Sequence, residues 1–332
     1  MEVGVSVTTM PPMSASIDVV VPAYNHYHLT SECLTYLARQ SVPHRVIVVD
    51  DGSTDGTPGQ LRRDWPQVTV VELGSKCGYT AAVNRGVAVG EAEYVVLLNN
   101  DVQLHVDCLE RLVAPLGDDP QLGSAAALML RPGEQTIDSF GVTADVTLAG
   151  FARLQGHPAP AALAPGPLLC GPEGTAGAYR RRAWEQAGGL DETIVAYMEI
   201  LDLALRLRTA GWGTVGVPDA LGVHLGSATY GRRSARQRRL AGFSRGYLIR
   251  RYGVLRSRAA ARTLFTEAAV VALDTLSCCD TQALRGRVRG WQAAGSYEPY
   301  VQPPREAIDS SISLWGSLML RRGAYRPSAQ GR

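Results

Sequence analysis

Short apolar runs alternate with stretches of helical spacing through the first half of the chain. Apolar residues cluster at 17–21, 45–49 and 68–72, and segments of helical pattern fill 30–40, 57–64 and 80–89. This alternation predicts a mainly parallel sheet with helices on both faces, because a parallel crossover needs a connection of about helix length. A further strand is predicted in Glu93-Tyr94-Val95-Val96-Leu97-Leu98, an apolar run that stops abruptly on Asn99-Asn100-Asp101. The pattern then predicts a helix over 107–116, closed by the turn formers Gly117-Asp118-Asp119-Pro120.

Between 131 and 172 the periodicity loosens around Pro158, Pro160, Pro165 and Pro167. A long irregular loop is expected there, either a lid over a binding site or a surface excursion. Past Ser227 the chain turns into arginine-rich helix, including Arg232, Arg233, Arg236, Arg238, Arg239, Arg245, Arg250 and Arg251. Such a run reads first as a solvated helix face, and second as a basic surface for anionic lipid or a diphosphate-linked acceptor. The tail at 308–325 carries Ile312, Trp315, Leu318 and Met319 at helical spacing. That face suits packing on the rest of the chain, a homodimer, or peripheral membrane contact. The expected organisation is a flexible leader at 1–15, an α/β domain at 16–228 and a helical extension at 229–332.

With 332 residues, 45% of them hydrophobic and 19% charged, the chain can bury a substantial core and reads as a soluble globular protein. A net charge of +2 argues against nucleic acid as a partner. Lys76 is the one lysine, so the positive charge is otherwise arginine. The cysteines at 33, 77, 108, 170, 278 and 279 form no Cys-x-x-Cys pair and have no histidine at zinc spacing, which favours a reducing compartment. The first residues read as a disordered leader and not as a signal peptide, and no segment is long and apolar enough to span a bilayer. The expected location is cytoplasmic, with the inner face of a membrane as the other option.

Candidate chemistry sits at two strand ends. The run Arg45-Val46-Ile47-Val48-Val49 leads straight into Asp50-Asp51-Gly52-Ser53-Thr54-Asp55-Gly56-Thr57, just as the later strand leads into Asp101. Carboxylates at the carboxyl edge of a parallel sheet stand where α/β folds hold nucleotides and their metals. Two such ends imply one shared cleft.

These two segments, with Val19-Val20-Val21-Pro22-Ala23-Tyr24-Asn25, Asn84-Arg85-Gly86 and Gly188-Gly189-Leu190-Asp191-Glu192, make the chain resemble the family 2 glycosyltransferases over about 16–228. Those are nucleotide-sugar-dependent enzymes of the GT-A fold, rhamnosyltransferases among them. The resemblance implies a mainly parallel mixed sheet flanked by helices. It puts Pro22, Tyr24 and Asn25 over the nucleotide, Asp51 on the pyrimidine imide with Asp50 beside it, and Asn84 at the donor. Asn100 would meet the ribose or a phosphate-bound water, and Asp101 would be the ligand to Mg²⁺ or Mn²⁺. His224, in His224-Leu225-Gly226-Ser227, would join the metal or touch the diphosphate. The implied donor is a UDP- or dTDP-sugar, the acceptor a glycan, a lipid-linked intermediate or a small molecule, and the stereochemistry inverting. A nucleotidyltransferase is disfavoured, for no glycine-rich phosphate loop with a lysine follows the first strand.

One position departs from the family pattern. In Tyr197-Met198-Glu199-Ile200-Leu201-Asp202-Leu203, Ile200 stands where the family has its catalytic aspartate. Isoleucine cannot accept a proton. Glu199 or Asp202 could take the base role, Asp191 or Glu192 could activate the nucleophile, or the chain could bind a nucleotide sugar without turning it over. Asp202 also has a structural alternative as a helix-face partner of Arg206.

Overall fold

The computed structural model describes residues 17–133, 135–226 and 234–321. Its strands are β1 (Ile17–Ala23), β2 (Arg45–Asp50), β3 (Thr69–Glu72), β4 (Tyr94–Leu98), β5 (Val102–Leu104), β6 (Leu122–Leu130), β7 (Ile137–Ser139), β8 (Val142–Ala144), β9 (Gly150–Ala152), β10 (Ala176–Arg180) and β11 (Gly213–His224). Its helices are α1 (Tyr27–Leu37), α2 (Thr57–Asp64), α3 (Tyr79–Val89), α4 (Cys108–Asp118), α5 (Arg181–Ala187), α6 (Glu199–Thr209), α7 (Ala235–Arg251), α8 (Ala260–Cys278), α9 (Gln282–Ala294) and α10 (Leu314–Arg321).

One sheet runs in the order β3-β2-β1-β4-β10-β6-β11-β5, with β7 alongside β6. The strands from β3 to β4 are parallel, as the alternation predicts, while β10 enters antiparallel between β4 and β6. Successive residues of β1 go to opposite faces. Val19 and Val21 pack with Leu34, Leu37, Leu109 and Leu112 from α1 and α4. Val20 packs with Val83, Val87, Leu203 and Leu207 from α3 and α6. Burying both faces makes each parallel strand a near-continuous apolar run, and each such side chain contributes roughly 1.5–3 kcal/mol.

Two expectations need correction. The stretch at 131–172 is not an irregular loop but a packed layer, with β7 on the main sheet and β8 paired to β9. Ile137, Phe140 and Leu154 form a small core with Leu128 and Ala162, and Val142, Ala144 and Leu148 join the cluster under α7. Three-residue strands are too short to display a period, which hid them in the sequence. The arginine run is likewise not a uniformly solvated face, since Arg245 and Arg251 are buried. Glu267 of α8 accepts from Arg245, Arg287 and Arg321. Three guanidinium groups hold its carboxyl far below the usual range against the opposing effect of burial.

The helices after 234 share a core with the α/β part. Tyr247 and Leu248 of α7, with Tyr252 just past its end, pack with Leu201, Ala204 and Leu205 of α6, across the boundary expected near 228. Helices α7 and α9 meet through glycines: a Cβ on Gly246 would stand 2.0 Å from the Arg287 carbonyl oxygen, and one on Gly290 1.9 Å from that of Phe243. Only hydrogen at these positions lets the two backbones come so close. Helix α8 is built the other way round, burying Thr263, Thr266 and Glu267 while Leu264, Phe265 and Leu276 face outward. Among the described residues no helix is long and apolar enough to cross a membrane. The expected leader, Ser227, Arg232, Arg233 and the tail past 321 lie outside the described residues.

Candidate active site

The loops after β1 and β2 are stitched together. Asn25 N–H donates to Ser53 Oγ (2.6 Å), Thr54 N–H to Asn25 Oδ1 (2.9 Å) and His26 N–H to Asp55 Oδ2 (2.8 Å). Asn25 and His26 both sit in the left-handed region, at φ 55° and 58°, a costly pair that these bonds hold in place. Pro22 lies within β1 opposite Val49, so it positions the loop from the strand side. Asp51 is buried and takes Cys77 N–H at 2.6 Å and Gly78 N–H at 3.0 Å. It therefore fixes the loop after β3, with lone-pair capacity left for a ligand. Asp50 accepts from Ser53 N–H, while its Oδ1 is buried with no hydrogen-bond partner among the described residues.

Lys76 arrives on the loop Asp51 holds, its Nζ 3.1 Å from the centroid of the Tyr24 ring. Burial lowers its pKa, the Asp51 carboxylate opposes that, and Arg236 of α7 adds to the lowering. The Lys76 ammonium thus feels both the Asp51 carboxylate and the Arg236 guanidinium, a placement of Lys76 that sequence reasoning missed. Its one signal was that Lys76 is the chain's single lysine.

At the neighbouring strand end, Leu225 N–H donates to the Asp101 carbonyl, and β11 pairs His224 with Val102. This brings His224 Nε2 to 3.3 Å from Asp101 Oδ1 and its Nδ1 to 2.6 Å from Asp138 Oδ2. Arg131 backs Asp138 at 3.6 Å. Burial works against the imidazolium, yet the hydrogen bonds to Asp101 and Asp138 push its pKa up to about 10. Asp138 lies on β7, in the stretch whose strands the sequence hid, so its role was not legible. A carboxylate on one ring nitrogen that leaves the other aimed at a second carboxylate is the arrangement that orients metal-binding histidines. Asp101 oxygen and His224 Nε2 suit Mg²⁺ or Mn²⁺ in type. Among the described residues no group of three or more His, Cys, Asp or Glu could hold a metal ion, so phosphate and water oxygens would complete the shell. Asn100 is aimed by its own bond, Nδ2 to Thr30 Oγ1 at 3.0 Å.

On the opposite side the expected residues divide. Asn84 lines a shallow surface pocket with Cys77, Arg85 and Glu192, and its amide is also engaged within the protein. Its amide donates to Leu190 O and Glu192 Oε1 and accepts from Leu190 N–H, clipping α3 to the 188–192 loop. Asp191 Oδ2 accepts from Tyr247 and Tyr300 hydroxyls at 2.7 and 2.9 Å. Burial raises its pKa, but the Tyr247, Thr193 and Tyr300 bonds outweigh that and leave it lowered, which makes it a poor base. Asp202 is completely buried, with Arg206 at 2.8 Å and the Tyr252 hydroxyl at 3.0 Å, beyond reach of a substrate. Ile200 is 6% exposed and packs in the cluster of Leu203 and Leu207.

Glu199 differs from these. It opens α6 after Tyr197 and Met198, both at φ 66°. Its Oε2 is buried with no hydrogen-bond partner among the described residues. Burial, reinforced by Glu173, raises its pKa to about 7. With burial, its charge raises the pKa of the Tyr79 hydroxyl, which donates to Gly174 O next to the loop held by Asp51; the following Thr175 O accepts from Asn99 N–H. Gly78 faces Val195, and Gly174 faces Ile200.

The family described as Glycosyl transferase family 2 matches over residues 18–161. The N-acetylglucosaminyl-diphospho-decaprenol L-rhamnosyltransferase of Mycobacterium tuberculosis is 31% identical over 57% of this chain and 69% of its own length. Among solved structures, the mannosyltransferase PcManGT from Pyrobaculum calidifontis, in complex with GDP-Man and Mn²⁺, aligns over 94% of this chain and 81% of its own at 22% identity, with a TM-score of 0.52. GalNAc-T7 with UDP, GalNAc and Mn²⁺ aligns over 87% and 56% at 12% identity, with a TM-score of 0.59. The structural likenesses carry the GT-A-like fold and the sequence matches carry the lineage: this chain belongs to glycosyl transferase family 2.

Proposed function

We propose that the protein transfers a sugar from a nucleotide diphosphate donor to an acceptor hydroxyl with inversion, and that Glu199 is the general base. The observation that carries this is the Glu199 carboxyl: unsatisfied at Oε2, raised to about 7 and adjacent to the vacated base position at Ile200. A base poised near neutrality takes a proton effectively without being permanently masked by it. Glu199 removes the hydroxyl proton as the acceptor oxygen attacks the anomeric carbon, and the bond from that carbon to the diphosphate oxygen breaks with its electrons leaving on phosphate. Lys76 and Arg236 meet the departing charge, while Asp51 keeps the Lys76 loop in position. A divalent cation held by Asp101 and His224 would supply further charge neutralisation to the diphosphate.

The mycobacterial relative's name adds an L-rhamnosyl donor and a polyprenyl diphosphate acceptor to the candidates for this chain, and the titles of the two solved neighbours add GDP-mannose and UDP with Mn²⁺. A UDP- or dTDP-sugar remains the proposed donor class. Incubation with a panel of nucleotide sugars and Mn²⁺, reading acceptor-dependent nucleotide release, tests the proposal. Release from at least one donor is expected, and none from any donor would overturn it.

A further inference from the structure

A cavity of about 1630 Å³ lies between the layer at 137–167 and helices α7 to α10. It exceeds the volume that holds a single small ligand. It adjoins the chemistry at two points. Met198, immediately before Glu199, lines it, and so does Arg131, which backs the Asp138–His224 pair.

Its polar wall is cationic. Arg245, Arg287 and Arg321 line it and share the single carboxylate of Glu267. Arg153 is the more telling group. It is 9% exposed, its Nε donates to Pro167 O at 2.7 Å, and its guanidinium lies 5.0 Å from the Phe140 ring centroid, with no carboxylate paired to it among the described residues. A desolvated guanidinium without a counter-ion is costly, and its fork geometry matches phosphate oxygens. Asp309, a carboxylate on the same wall, is committed to Leu168 and Ser311. The other wall carries Leu273, Trp315 and Met319 from α8 and α10, with Asp274 and Ser277 beside them on α8. It continues onto the outward face of α8 at Leu276, which is 78% exposed.

From these features we infer that the cavity is the acceptor site and that it takes a phosphate-bearing lipid, with the phosphate on Arg153 and the arginines around Glu267 and the chain along α8 and α10. The inference rests on the transferase reading above and deepens it by naming the acceptor class. Polar head and apolar tail are matched by two different walls of one cavity, which reaches Met198, the residue before the proposed base.

Calorimetric titration of the full chain in EDTA, with farnesyl diphosphate, inorganic pyrophosphate and farnesol as probes, tests this. Farnesyl diphosphate should bind at least about tenfold more tightly than either fragment. Arg153→Gln should weaken it by about tenfold or more, Arg153→Lys should restore part of the loss, and Asp101→Asn should leave it unchanged. Leu273→Glu and Trp315→Ala, at exposed positions, should weaken farnesyl diphosphate and spare pyrophosphate. Equal binding of pyrophosphate and farnesyl diphosphate would reduce the site to one for free anions and overturn the inference. So would loss of binding in Asp101→Asn, which would put the probe in the donor cleft, or full affinity in Arg153→Gln together with Trp315→Ala. Lipid diphosphate binding with these mutant effects but no nucleotide release from any donor would support the site and refute the transferase reading alone.

Discussion

Glu199 and Ile200 are adjacent on the first turn of α6, yet the glutamate has a buried oxygen without a partner while the isoleucine is sealed into the apolar cluster of Leu203 and Leu207. On the proposed function, the position of the family's aspartate has been filled with core and the neighbouring carboxyl takes the proton. Glu199→Gln should lower kcat by about 10²-fold or more with nucleotide affinity unchanged. The wild-type rate should rise with pH through a limb near 7, the pKa of this carboxyl, and the variant should lack that limb. Ile200→Asp should not raise activity, because it would bury a carboxylate against apolar neighbours; loss of stability in urea is the expected readout.

The same carboxyl makes a stability prediction of definite sign. Its pKa is raised from 4.5 to about 7, so the native state binds the proton more tightly than the unfolded chain. Stability from this group is therefore full below the unfolded pKa and declines as pH climbs from 4.5 through 7. Glu199→Gln should unfold at higher urea than wild type at pH 8, by up to about 3 kcal/mol, and the advantage should vanish near pH 4.

At the metal end, Asp138→Asn should weaken Mn²⁺ affinity by roughly 10-fold to 100-fold through loss of His224 orientation. Manganese titration followed by electron paramagnetic resonance, in the presence of UDP, measures this directly. Asp101→Asn should do at least as much, and in wild type a chelator should weaken UDP binding to a similar degree.

Asp191 gives the opposite pH signature. Its lowered pKa means that its contribution is present above the unfolded carboxylate range and is lost as pH falls. Tyr247→Phe removes the 2.7 Å bond and should cost about 1.5–3 kcal/mol at pH 7, with a smaller difference at pH 3. Paired denaturation curves at the two pH values check it.

The parts of this protein that were legible in its sequence are those with a period or an abrupt change of polarity. β1, β2 and β4 announce themselves as apolar runs, and the turns at Asp51 and Asp101 mark where those runs end. What was not legible depends on partners distant in sequence. Asp202 and Glu199 are both acidic residues on one helical turn, and only packing assigns the first to Arg206 and Tyr252 and leaves the second unsatisfied. Asp138 is one acidic residue in a three-residue strand, and its meaning comes from His224, 86 positions later. Asn84 sits in a family-like stretch, and only the structure shows that its amide also binds Leu190 and Glu192, 106 and 108 positions later.

The glycine contact between α7 and α9 also sets an order of assembly during synthesis. Helix α7 cannot complete its packing until Gly286 and Gly290 have left the ribosome, and Asp191 must wait for a tyrosine 109 residues further on. The strands from β1 to β4, built from local crossovers, can form while the helices after 234 are still waiting to be made. A nascent chain at that stage would hold the loops after β1 and β2 stitched together before Asp191 had met its tyrosine partners.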